Sequence, residues 1–209
     1  MSILDDIKDR TMRGKRKEIG PLIEEALEDG EEPQVILDAM IDAMGDIGER
    51  FSKGECFVPE MLVEARAMTA GTDVLKPAMA AGGTEPLGHA VIGTVKGDMH
   101  DIGKNLVRMM IEGKGVEITD LGVDVAPEAF VDHLKDHPEC KVVCLSALLT
   151  TTMPALDETI KALVDAGLRD NVKIMVGGAP VTQEFADEIG ADAYTPDAGA
   201  AAEKIAEFF

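Results

Sequence analysis

The densest chemistry in the chain lies in Asp98-Met99-His100-Asp101-Ile102-Gly103. This stretch follows the apolar run Ala90-Val91-Ile92-Gly93-Thr94-Val95 and precedes Asn105-Leu106-Val107-Arg108-Met109-Met110-Ile111. The pattern reads as a strand, a polar loop and a helix, with a histidine at the turn. In an open α/β sheet the loops that leave the carboxyl ends of the strands form the ligand crevice. Asp98, two residues before His100, can accept a hydrogen bond from one ring nitrogen and leave the other as a fixed lone pair, as metal-ligating histidines require. Gly103 opens the helix without a Cβ, which leaves room for a bulky group against the backbone. The local alternative is a solvated turn histidine.

The elements that must hold this loop fall into two halves. From Ile3 to about Met79 every plausible element is helical. Ile19, Leu22, Ile23, Ala26 and Leu27 form one apolar stripe, and Val35, Ile36, Ala39, Met40, Ala43, Met44 and Ile47 form a second. Met61, Leu62, Ala65, Met68, Val74 and Leu75 form a third, and Pro33 and Pro59 mark first turns. With a short helix before Arg13, these predict a four-helix bundle. Ala80 to Gly88 is small and flexible in composition and breaks the helical pattern. The expected division is a helical-bundle cap over 1–80, a linker over 81–88 and an α/β domain over 89–209.

In the second half, strand-like runs at 90–95, 116–121, 142–146, 173–176 and 191–194 alternate with helical segments near 102–112, 127–135, 153–166, 182–189 and 197–209. Five βα units predict a parallel sheet of five strands, Rossmann-type and flavodoxin-like, in the order 2-1-3-4-5. The switch point then lies between the first and third strands, beside the His100 loop. Ser146, Leu148, Thr150 and Thr152 follow the third strand and Gly177-Gly178 follow the fourth, so all gather on that edge. One of the threonine hydroxyls is alternatively an N-cap for the helix starting near Met153, and the paired glycines are alternatively turn residues.

These residues carry a resemblance. Asp98-x-His100-x-x-Gly103, with Gly93-Thr94 before it and Lys104-Asn105 after it, resembles the signature of corrinoid (cobalamin-binding) methyl-carrier proteins of methanogen- and acetogen-type methyltransferase systems. It is similar also to the cap plus cobalamin module of methionine synthase. The resemblance implies that His100 is the lower axial ligand of cobalt, with the cofactor's own tail base displaced. Met99, Asp101 and Ile102 belong to the same binding loop. It implies that Ser146 and Leu148 line a channel for the tail, that Gly177 and Gly178 let the tail lie against backbone, and that Thr152 stands where methionine synthase has the serine of a His-Asp-Ser relay. In the helical half, Gly48, Phe51, Gly54 and Phe57-x-Pro59 are similar to the family's cap, which implies that Phe57 covers the upper face. The cofactor implied is cobalamin or a related corrinoid, cycling between methylcob(III)alamin and cob(I)alamin. The partners implied are a substrate:corrinoid methyltransferase, a corrinoid:tetrahydrofolate or corrinoid:coenzyme M methyltransferase, and a reductive activase. The chain would be a carrier that does not turn over alone. A cobalamin-binding subunit of an adenosylcobalamin mutase, or a cobalamin-dependent sensor, shares the signature.

Composition narrows the field. Forty acidic residues against twenty basic give a formal charge of −20, which argues against nucleic acid or an anionic membrane as partner. No apolar run approaches the ~20 residues that span a bilayer, and Met1-Ser2-Ile3-Leu4-Asp5-Asp6 lacks the basic start of a signal peptide, so a cytoplasmic location is expected. Cys56, Cys140 and Cys144 form no disulfide or metal framework. Cys140 and Cys144, four apart in one strand, are expected on the same face.

Overall fold

The structure is a computed structural model and describes residues 2–82 and 86–209. The helical half comprises α1 (Ile3–Met12), α2 (Arg16–Glu28), α3 (Pro33–Ser52) and α4 (Val58–Gly82). Ser2 and Asp5 close a reciprocal capping box at the start of α1, and Pro33 occupies the first turn of α3, where its missing N–H costs nothing. Ile7, Ile19, Ile23, Ile36, Met40, Met44, Ile47, Met61, Met68 and Leu75 are buried together in the bundle. In α3 the buried face includes Leu37 and leaves Val35 exposed, a small rotation from the expected stripe. Gly71 makes this packing possible, because a Cβ there would collide with the Met40 side chain and with Ile23 Cδ1. Helix α4 continues through Ala81 and Gly82, two residues into the expected linker, consistent with the high helix propensity of its alanines. Gly83, Thr84 and Glu85 of that linker lie outside the described residues.

The second half alternates β1 (Gly88–Thr94), α5 (Ile102–Glu112), β2 (Val116–Asp120), α6 (Pro127–Asp136), β3 (Cys140–Ser146), α7 (Met153–Asp165), β4 (Lys173–Gly177), α8 (Gln183–Glu188), β5 (Ala193–Tyr194) and α9 (Ala198–Ala206). All strand pairs are parallel and their order is β2-β1-β3-β4-β5, as the alternation predicts. One face of the sheet packs on α6, α7 and α8 through Phe130, Leu134, Leu156, Ile160 and Ala186. The other face packs on α5 and α9 through Ile111, Ala201 and Ile205.

The bundle sits on the outside of this second helical layer, since Leu106, Met110, Ala198 and Ala202 are buried with its core. The molecule therefore has four layers: bundle, α5 with α9, sheet, and α6 to α8. Backbones come close at the seam, where a Cβ on Gly48 would lie 3.2 Å from Met110 Cε and 3.7 Å from Gly199 Cα.

Cys140 and Cys144 do not share a face. The pairing of β1 with β3 runs His89 to Cys140 and then Ala90 to Val142, so one extra residue in β3 reverses the alternation. Cys140 joins the α6–α8 core and Cys144 the α5–α9 side.

Candidate functional site

The loop after β1 is held at both ends before it presents any side chain. The Thr94 hydroxyl, on the last residue of β1, donates to the His100 carbonyl at 2.8 Å. Asp124 accepts from the Gly97 amide at 2.7 Å and donates its own amide to the Asp98 carbonyl at 2.9 Å, with its backbone at φ 52. Below the loop, the buried Lys104 ammonium pairs with Asp120 at the end of β2 and donates to Asn105 Oδ1 at 2.8 Å. That ion pair fastens the first turn of α5 to the sheet.

Asp98 is fully buried, and both of its carboxylate oxygens are saturated. Oδ1 accepts from the His100 amide at 3.1 Å and sits 2.6 Å from His100 Nδ1. Oδ2 accepts from the Leu148 amide and from the Thr152 hydroxyl, both at 2.7 Å. Burial pushes the carboxyl upward, but the Leu148 amide, Thr152 hydroxyl and His100 donors outweigh it and hold Asp98 well below the usual carboxylate range. An anionic Asp98 requires Nδ1 to be the protonated ring nitrogen, so the lone pair of the neutral ring is on Nε2. The His100 side chain is half exposed, at the edge of a cavity of about 520 Å³.

The cavity gathers most of the expected residues. Met99, His100, Asp101, Ile102, Gly103, Ser146, Leu148, Gly177 and Gly178 all line it. Met99 and Ile102 carry largely exposed apolar side chains on either side of His100, and a Cβ on Gly103 would meet only open space. Gly178 has φ +129, and a Cβ there would overlap the Ala147 carbonyl, so the turn and the wall both require glycine.

Two expectations change, at Thr150 and Phe57, while at Thr152 the bond to Asp98 that the resemblance implies is present and the N-cap alternative is not. Thr150 is exposed and lies away from the cavity lining. Thr152 is the N-cap residue of α7 yet makes no capping hydrogen bond, because its hydroxyl is directed to Asp98 and to the Leu149 carbonyl, at 2.9 Å. Phe57 does not line the cavity and is 71% exposed. It immediately precedes α4, where its amide donates to Glu60 Oε2 at 2.9 Å, and this N-cap geometry turns the ring outward. Phe51, in the last turn of α3, packs partly on the bundle core and lines the cavity in its place.

Residues not singled out from the sequence complete the walls. Ile92, Cys144 and Met175 line the cavity from three adjacent strands, with Leu106 and Val107 of α5 also lining it. Their only signal in the sequence is an apolar strand interior or helix face, which is the signal of any core residue. Among the described residues no group of three or more His, Cys, Asp or Glu side chains could hold a bare metal ion. His100 alone would suit a metal that brings its other ligands with it, and the open space beside Gly103 leaves room for such a bulky group.

The chain matches the B12 binding domain over residues 88–206, and a second B12 binding domain description over residues 3–76. The chain belongs to the B12-binding family. Dimethylamine corrinoid protein 2 of Methanosarcina acetivorans is 39% identical over 206 residues, covering 98% of this chain and 95% of the relative. Trimethylamine corrinoid protein 2 of Methanosarcina mazei is 44% identical over 185 residues, covering 87% and 84%. A chain in the crystal structure of the methanol:cobalamin methyltransferase complex of Methanosarcina barkeri superposes with a TM-score of 0.86 at 27% identity, covering 99% of this chain and 80% of that one.

Proposed function

We propose that this corrinoid protein carries a methyl group on cobalt from a substrate:corrinoid methyltransferase to a second methyltransferase that uses tetrahydrofolate or coenzyme M. The observation that carries the reading is His100, its Nδ1 tied to a buried and saturated carboxylate and its ring at the edge of a 520 Å³ cavity. When bound, the corrinoid supplies a cobalt centre able to accept and release a methyl group. The chain supplies binding, orientation and shielding.

His100 Nε2 would offer its lone pair to the cobalt, and Asp98 keeps the ring oriented and its proton on Nδ1. The Thr152 hydroxyl has one hydrogen and two acceptors in reach, Asp98 and the Leu149 carbonyl, so it can exchange its bond to the carboxylate for one to the backbone. Ser146 and the Gly177-Gly178 backbone form the wall along which a nucleotide tail would lie. Phe51 lines the cavity from the bundle side and would shield a bound group there from water.

The methyl donor differs among the relatives, whose names specify dimethylamine, trimethylamine and methanol. This supports a partner that binds and activates the donor, with this chain delivering the cobalt. The bundle must then swing away as a lid, a motion that separates Leu106, Met110, Ala198 and Ala202 from its core. A charge of −20 favours partners with a basic docking face, and a reductive activase would restore cobalt that has lost an electron. No helix among the described residues is long and apolar enough to cross a membrane.

The test reconstitutes the protein with cobalamin, reduces it to Co(I) and adds methylated donors with and without a cognate methyltransferase, following the visible spectrum. Methylation is expected only with the partner. Rapid methylation by free donor would mean an enzyme and overturn the carrier reading.

A further inference from the structure

The cavity has two levels, and sheet register sets them. At the carboxyl ends of the strands Thr94, Ser146 and Gly177 are paired neighbours, and two residues deeper Ile92, Cys144 and Met175 are paired neighbours on the same face. The upper level is polar, and the Ser146 hydroxyl there makes no hydrogen bond among the described residues. Ile92, Cys144 and Met175, with Leu106 and Val107 of α5, offer only hydrocarbon, a thioether and one thiol. The cavity's other polar side chains stand at the carboxyl ends of the strands, Lys104 paired with Asp120 at the end of β2 and Thr195 and Asp197 after β5. Cys144 and Met175 are buried, and burial pushes the Cys144 thiol far up, so it stays neutral and is at most a weak donor. The lower level therefore contains no good hydrogen-bonding group.

We propose that this floor, formed by Ile92, Cys144 and Met175, selects corrinoids by their tail base, accepting a benzimidazole and rejecting a purine. The inference rests on the corrinoid reading above, with the displaced tail in this cavity. A benzimidazole places its single basic nitrogen on the five-membered ring, within the reach of one donor such as Ser146, and its six-membered ring is hydrocarbon. A purine of the adenine type places two ring nitrogens and an amino group on the six-membered ring. Those groups give up water on entry and meet no partner at the floor. Each buried polar group left unpaired weakens binding by roughly fivefold to a hundredfold.

The test compares cobalamin with its adenine-tailed counterpart, which shares the same corrin ring. Both are reduced to Co(I), a state in which neither tail is on the metal, so that affinity reports the cavity and not the strength of tail ligation. Anaerobic equilibrium dialysis against the apo-protein gives the two dissociation constants. Cobalamin is expected to bind at least roughly tenfold more tightly. Cys144→Ala, which adds no polar group, should keep that ratio. Cys144→Ser, which places a donor and acceptor at the floor, should reduce it to below about threefold by improving the adenine-tailed ligand. Equal binding of the two corrinoids to the parent protein overturns the inference and needs no variant. An unchanged ratio in a folded Cys144→Ser protein also overturns it, since the floor would not be the discriminating surface. Binding of neither corrinoid overturns the corrinoid reading itself, and this inference falls with it.

Discussion

Asp98→Asn is the sharpest test of how the His100 loop works. The carboxylate takes four hydrogen bonds, two on each oxygen, from the His100 amide and Nδ1 on one side and the Leu148 amide and Thr152 hydroxyl on the other. An asparagine has one oxygen and one NH₂ group, so whichever way it is turned two former donors face N–H. If the oxygen stays toward Leu148 and Thr152, the NH₂ group faces His100 Nδ1. The ring proton then moves to Nε2, the nitrogen that should bind the metal, and the His100 amide is left unpaired. If the amide is flipped, Nδ1 keeps its acceptor but the Leu148 amide loses its own. Two charge-assisted bonds are lost in either case, at about 1.5–3 kcal/mol each, so about 3–6 kcal/mol of stability is at stake. Loss of an orienting carboxylate lowers the affinity of a histidine for its metal by about tenfold to a hundredfold. Urea unfolding of the apo-protein measures the first effect, and titration with aquocobalamin followed by its visible bands measures the second. An Asp98→Asn protein that binds as tightly as the parent, with the same histidine-ligated spectrum, would refute the role assigned to the carboxylate.

The aromatic lid gives a paired prediction: Phe51→Ala should accelerate photolysis of bound methylcobalamin by opening the cavity, whereas Phe57→Ala should leave the rate near that of the parent, measured by bleaching under constant light. Gly178→Ala should destabilise by about 2 kcal/mol or more, because a Cβ would overlap the Ala147 carbonyl. Gly167→Ala, at φ +70 with nothing within 4 Å of its Cβ, should cost only about 1 kcal/mol in the same denaturant assay. Glu64, 6% exposed on α4, has its carboxyl raised to about 7 by burial, with Arg50 opposing and Glu60 assisting. Since the folded state holds this proton more tightly than the unfolded chain, stability should fall as pH rises from about 4.5 to about 7, by up to about 3 kcal/mol. Glu64→Gln should flatten that part of the thermal-stability profile.

Where contacts are short in sequence, the chain could be read directly. Asp98 reaches His100 across two residues, so spacing alone places a carboxylate on the imidazole. The five apolar runs and their helical spacers imply the parallel sheet and its order, because a parallel strand needs a crossover and a short first crossover puts the second strand at the edge. Pro33 marks the start of α3 because its ring suits a first turn and little else.

Other features waited for the fold, because they depend on rotational phase and register. Phe51 and Phe57 are both aromatics near the same turn, and only the angle at which α3 ends and α4 begins decides which ring enters the cavity. Only the resemblance put Thr152 in a relay with Asp98, and the fold supplies the cause: the pairing of β1 with β3 brings the two together across 54 residues, and the buried charge draws the hydroxyl away from capping α7. A single extra residue beside Cys140 reverses the alternation of β3 and separates it from Cys144. The floor of Ile92, Cys144 and Met175 exists only because three strands stand in register, so residues that read singly as core become one side of a binding surface. Sequence spacing determines which neighbours a residue meets within a turn or two, and tertiary packing determines which distant side chains share a cavity.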